Sequence, residues 1–244
     1  MTTISESVID AETAEGVMGI SVKQPAEGGP YPTIVLFMDA PGIRASILDF
    51  SERLAAEGYR VVAPDLYHRH DYMFGLMPEE RSGENASRMG AMFQSLTDEG
   101  IQQDLDDALS AVGVGADEKL GTIGFCLGAR AVYRALMRLP DQFVAGVAWH
   151  PSLLVDDGDD SPHLTAAQLK QPLYLGVGAE DTVQSVELLQ PFYDVVAPMA
   201  NVEVEIFEGA DHAFTWPAEP NYHEAAATGS WAKTTALFRD HLSS

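Results

Sequence analysis

A single cysteine stands in this chain of 244 residues. Cys126 occupies the centre of Gly124-Phe125-Cys126-Leu127-Gly128, the G-x-nucleophile-x-G pattern of a sharp strand-to-helix turn, with cysteine where serine usually stands. The spacing has a steric reason: the turn strains the nucleophile's backbone, and the residues two positions away must be small, hence Gly124 and Gly128. The thiol is then presented at a helix N-terminus, whose partial positive charge favours thiolate. The backbone N–H of Leu127 points toward a developing oxyanion. Without a strand before it and a helix after it, the same pentapeptide describes a buried structural cysteine.

A cysteine nucleophile needs a base, and the base needs an acid to orient it. Asp181 follows an apolar run in Gly178-Ala179-Glu180-Asp181, and His212 follows another in Gly209-Ala210-Asp211-His212-Ala213-Phe214. The order nucleophile, acid, histidine is that of the α/β-hydrolases. Glu180 and Asp211 are close rivals for the acid; Asp211 adjoins the histidine, so its side chain is expected to point elsewhere. His150 ends a strand and is expected to line the pocket, whereas His68 and His70 fall in a polar loop.

Strands and helices must bring these residues together. Thr33–Met38, Arg60–Ala63, Leu120–Phe125 and Val144–Trp149 read as short strands, and Pro172–Val177 and Val202–Phe207 continue the pattern. Helical spacing is expected over Ser46–Glu57, Glu84–Ser95, Asp98–Val112, Leu127–Arg138 and Trp231–His241, with Val183–Val196 continuing the alternation. Gly58 is a stop signal, and Asp98 and Glu99 suit a helix start. Such alternation predicts an α/β fold with a mostly parallel central sheet and helices on both faces. No linker divides the chain, so residues 1–244 read as a single domain. In such sheets sites gather at the carboxyl ends of the strands, which is where Cys126, Asp181 and His212 fall.

Composition narrows the partners. There are 37 acidic against 14 basic side chains, a formal charge of −23, and a surface of that sign repels nucleic acid and anionic membranes. One cysteine excludes an internal disulfide and a multi-cysteine metal site. With 46% apolar residues the chain is not a disordered acidic one. The N-terminus lacks the basic start and apolar stretch of a secretory signal, and no apolar run reaches membrane-spanning length. A soluble cytoplasmic protein is expected. Asp156–Ser161 lacks the spacing of a calcium loop and reads as a solvated turn.

The elbow at 124–128, the turn Pro64-Asp65-Leu66-Tyr67, Asp181 and the segment Gly209–Phe214 together resemble the dienelactone hydrolase family of α/β-hydrolases, from about Tyr31 to the last helix. The resemblance implies an esterase or lactonase of small molecules with no metal or organic cofactor. It places the family's resting-state glutamate at Asp39, one methylene shorter, and a second oxyanion donor at the N–H of Ala40. Family members acting on dienelactone hold its carboxylate with arginines. Here Trp216 stands four residues after the histidine in place of one, and Arg81 or Arg88 corresponds to the other. Trp216 favours an apolar or aromatic group. The expected activity is hydrolysis of an ester or lactone through an acyl-cysteine. The alternatives are a broad carboxylesterase or thioesterase, a non-catalytic small-ligand-binding α/β-hydrolase, or a redox sensor built on Cys126.

Overall fold

The computed structural model describes residues 2–242, so Met1, Ser243 and Ser244 of the expected domain lie outside it. The chain divides into two compact units, Met1–Glu118 and Lys119–Ser244.

In the first unit, β1 (Ile4–Thr13), β2 (Gly16–Pro25), β3 (Thr33–Phe37) and β4 (Arg60–Pro64) stand in the order β1-β2-β4-β3. The pairs β1/β2 and β2/β4 are antiparallel and β3/β4 is parallel. Helix α1 (Ala45–Ala56) connects β3 to β4, and α2 (Gly83–Ser95) and α3 (Asp98–Ala111) follow β4. Val22 and its partner Val62 pack with Ile20, Met18 and Ala108 of α3. The next residue, Lys23, points the other way and reaches Glu6 and, on α1, Glu52 at 3.1 and 3.2 Å. Strand alternation therefore sets α1 and α3 on opposite faces. Thr97 caps α3, accepting the Gly100 N–H at 3.1 Å. The hairpin β1/β2 was not among the expected strands, because Ser5, Glu6, Ser7 and Val8 are all exposed and show no apolar alternation.

The second unit holds β5 (Leu120–Phe125), β6 (Phe143–Trp149), β7 (Leu173–Gly178) and β8 (Val202–Phe207), adjacent in that order and all parallel. Its helices are α4 (Gly128–Arg138), the single turn α5 (Pro162–Thr165), α6 (Val186–Val196) and α7 (Glu224–Leu242). Gly146, beside Thr122, faces Val132 and Leu136 of α4; Gly121, one step along, faces Phe238 and Leu242 of α7. The two helices thus cover opposite faces. The α/β class with helices on both faces, expected from the alternation, is what each unit shows; every pair described in the second unit is parallel, whereas two of the three in the first are antiparallel. Helix α7 starts before the expected Trp231 because Glu224–Gly229 is short in large apolar residues but rich in alanine, a strong helix former.

Register sets up the site. Phe125 lies opposite Trp149, Trp149 opposite Gly176, and Gly178 opposite Phe207. The loops that leave these residues therefore start from one end of the four strands. The acidic turn is anchored by α4: Arg130 pairs with Asp156, and Arg134 with Asp160 at 3.0 Å. Among the described residues, no helix is long and apolar enough to cross a membrane.

Candidate active site

The elbow has the strained geometry its sequence demands. Cys126 has φ +52°, a conformation that costs a non-glycine residue on the order of 1–3 kcal/mol. A Cβ on Gly124 would collide with the backbone of Gly128, so only glycine lets the strand turn directly into α4. The backbone is held at both ends. The Cys126 N–H donates to Trp149 O at 3.2 Å, and its carbonyl accepts from Ala129 N–H at 3.0 Å and Ser152 N–H at 2.9 Å. Leu127 caps α4 as its first turn begins. The half-buried sulfur lies 3.4 Å from the Ser152 hydroxyl.

Asp181 is fixed by its own turn. Its Oδ1 accepts the N–H groups of Val183 and Gln184 at 2.9 and 2.7 Å, and Oδ2 meets His212 Nδ1 at 2.7 Å. A Cβ on Gly178 would come within 2.5 Å of Ala210 O; the absent side chain lets the acid loop and the histidine loop approach. His212 also hydrogen-bonds Cys126. With Nδ1 committed to Asp181, the sulfur's partner is Nε2. The structure thus joins Cys126, His212 and Asp181 in one run of hydrogen bonds. The rival acids are otherwise engaged. Glu180 is exposed, and Asp211 accepts from Thr182 N–H and from His212's own N–H at 2.8 and 2.6 Å.

Burial by itself would push the His212 pKa down. The hydrogen bond to Asp181, the hydrogen bond to Cys126 and the negative charges of both partners outweigh it and raise the group to about 10. Both partners therefore favour the charged form of the imidazole.

An aromatic wall backs this run. His150, at φ +40° and fully buried, sets its ring edge-on to His212 with centroids 4.8 Å apart. Trp216 lies 4.5 Å from Phe125 and is only 2% exposed. Both are among the residues expected to face substrate, and His150 packs against His212.

The remaining expected site residues belong to the first unit. Asp39 is buried, and Arg44 grips both of its carboxylate oxygens, Nη2 donating to Oδ2 at 2.9 Å. The Ala40 carbonyl accepts from Tyr67 Oη at 3.0 Å. Arg81 donates to Leu76 O at 3.0 Å. Arg88 pairs with Asp71 at 2.7 Å, its guanidinium 5.4 Å from the centre of the Phe74 ring. Buried His68 bonds Asp104 at 3.1 Å, and His70 bonds Ser95 at 2.8 Å.

Three residues escaped sequence reasoning. Ser152 follows β6 directly after His150-Pro151, so attention to every strand end would have found it. Gln184 spans two loops, its N–H on Asp181 and its side-chain oxygen accepting Leu153 N–H at 3.1 Å. Arg44, beside Asp39, carries no motif. Among the described residues no three histidine, cysteine or carboxylate side chains are grouped to hold a metal ion.

The sequence profile of the Dienelactone hydrolase family matches residues 17–242, which reaches further toward the N-terminus than the motifs alone suggest. A Methylorubrum extorquens protein named "Putative carboxymethylenebutenolidase" is 29% identical over 93% of this chain and 78% of its own length. A Salmonella typhimurium protein of the same name is 30% identical over 88% of this chain and 80% of its own. Among solved structures, a "Putative Dienelactone Hydrolase" from Klebsiella pneumoniae superposes with a TM-score of 0.84 at 26% identity, covering 98% of this chain and all of that one. With the α/β-hydrolase fold, the cysteine elbow and a family profile that spans most of the sequence, the chain belongs to the dienelactone hydrolase family, whose members are hydrolases of carboxylic ester and lactone bonds.

Proposed function

We propose that this hydrolase works through an acyl-cysteine at Cys126. The observation that carries the reading is the hydrogen-bonded run from the Cys126 sulfur through His212 to Asp181 Oδ2. The sulfur attacks the substrate carbonyl, forming the S–C bond and an oxyanion held by the N–H of Leu127. Collapse breaks the C–O bond, and the leaving alkoxide takes the proton from His212 Nε2. Asp181 keeps the imidazole oriented and supports its charge. Water then attacks the thioester while His212 accepts its proton, and the sulfur departs with the electron pair.

Acylation itself prepares the second step. Once the sulfur is a neutral thioester, the two contributions of Cys126 to the raised His212 pKa are gone and burial works against fewer opponents. The imidazole shifts from acid toward base when a base is required. Asp39 stands where the family resemblance places the resting-state glutamate, and its carboxylate is held by Arg44. The reading takes residues 1–244 as one catalytic domain acting on a small molecule in the cytoplasm.

For substrate, the relatives' name points to a carboxylate-bearing lactone. The broader ester alternative draws support from Trp216, which offers no charge, and from Arg88, which is committed to Asp71. Turnover of an activated aryl ester by Cys126→Ala decides the mechanism: abolition with loss of the acyl-enzyme mass supports it, and retained activity overturns it. A panel comparing a cis-dienelactone with a neutral aryl ester decides the substrate class.

A further inference from the structure

We infer that Ser152 is a further catalytic residue, whose hydroxyl donates a hydrogen bond to the Cys126 sulfur whenever that sulfur carries negative charge. The inference rests on the acyl-cysteine reading and adds a group that it does not contain.

Ser152 is tied to the nucleophile twice. Its backbone N–H donates to the Cys126 carbonyl at 2.9 Å, and its Oγ lies 3.4 Å from Sγ. The residue is only 3% exposed. Among the described residues the sulfur is the hydroxyl's one hydrogen-bond partner. A buried hydroxyl is costly to leave unsatisfied, so this one depends on the sulfur. A serine hydroxyl has a single proton to give, and a thiolate can only accept. With the imidazole already protonated, the hydroxyl proton is directed at sulfur.

The position is held rigidly. Leu153, next in the chain, has φ +61°, and its N–H is bound by Gln184, whose own N–H holds Asp181. The hydroxyl is thus oriented by the same frame that fixes the acid. Charge sits on sulfur before attack and again as the thioester breaks. The hydroxyl supports the anion at both moments and loses its charged acceptor in between. Hydrogen bonds to ionised groups are about twice as strong as neutral ones, so the effect is greatest when the sulfur leaves.

The experiment measures Cys126 alkylation by iodoacetamide against pH, together with aryl-ester kinetics, in wild type, Ser152→Ala and Ser152→Thr. In Ser152→Ala the half-maximal alkylation rate should move up by about one pH unit, a tenfold change in equilibrium. Its kcat should fall about tenfold with KM little changed, and its melting temperature should hold, because the backbone bond to Cys126 remains. Ser152→Thr, which keeps the hydroxyl, should restore the wild-type profile. An unmoved alkylation profile in Ser152→Ala overturns the inference, as does a Ser152→Thr profile displaced as far as that of alanine. Failure of the acyl-cysteine reading is seen separately, as turnover by Cys126→Ala.

Discussion

The His150 ring stands edge-on to His212, with centroids 4.8 Å apart and planes at 69°, so one buried histidine forms part of the bed on which the other rests. His150→Ala removes that wall and leaves a cavity. A loss of about 2–4 kcal/mol in folding stability is expected from the missing ring, with a fall in kcat/KM as His212 gains freedom. Urea denaturation and aryl-ester kinetics on the same preparation check both. His150→Phe, which keeps a flat ring, should retain more activity than His150→Ala.

The pH profile should report His212. Its pKa is raised above the ordinary histidine value to about 10, so the proton for the leaving group is present through neutral pH and is lost as pH rises through about 10. The high-pH limb of kcat/KM should fall there. Asp181 supplies the first of the raising contributions, so Asp181→Asn should move that limb to lower pH. It should also reduce kcat by about 10²–10⁴-fold, the range seen when such an acid is neutralised. A limb unmoved by Asp181→Asn would contradict the assignment. For stability the sign is the same: the contribution of the raised group is complete below pH 6.5 and disappears as pH passes about 10.

Gly124→Ala tests the elbow. The added methyl meets the Gly128 backbone, which cannot move aside as a flexible side chain would. The expected cost is about 2–4 kcal/mol, with activity reduced further because Cys126 is displaced from His212. Thermal melting and iodoacetamide labelling together check whether the thiol has lost its setting.

Arg44 and Asp39 form a buried pair, with side chains only 2% and 4% exposed. Arg44→Met would leave the Asp39 carboxylate without its guanidinium, at an expected cost of about 3–5 kcal/mol. The double variant Arg44→Met/Asp39→Leu should recover much of that loss, since no buried charge is stranded. A double-mutant cycle by denaturant titration measures the coupling.

The legible parts of the fold were those with strong local signals. Leu120–Phe125 and Val202–Phe207 coincide with the observed β5 and β8: the first is a mostly apolar buried run, and the second alternates apolar residues with Glu203 and Glu205. Cys126, Asp181 and His212 were legible because chain order and strand ends restrict where such residues fall. The hairpin β1/β2 was not, since most of β1 faces solvent. Arg44 was hidden for a different reason. Its importance comes from burial against Asp39, and burial of an arginine has no local signature. The packing of Trp216 against Phe125 has no local signature either, because no spacing rule foretells which aromatic rings meet.

The elbow's backbone hydrogen bonds at position 126 are one N–H to Trp149 and one carbonyl shared by Ala129 and Ser152. None of these bonds depends on what the side chain is. The choice between sulfur and oxygen as the attacking atom is therefore separable from the architecture, an interchangeable tool in a fixed holder. Cys126→Ser would leave every one of these backbone bonds in place.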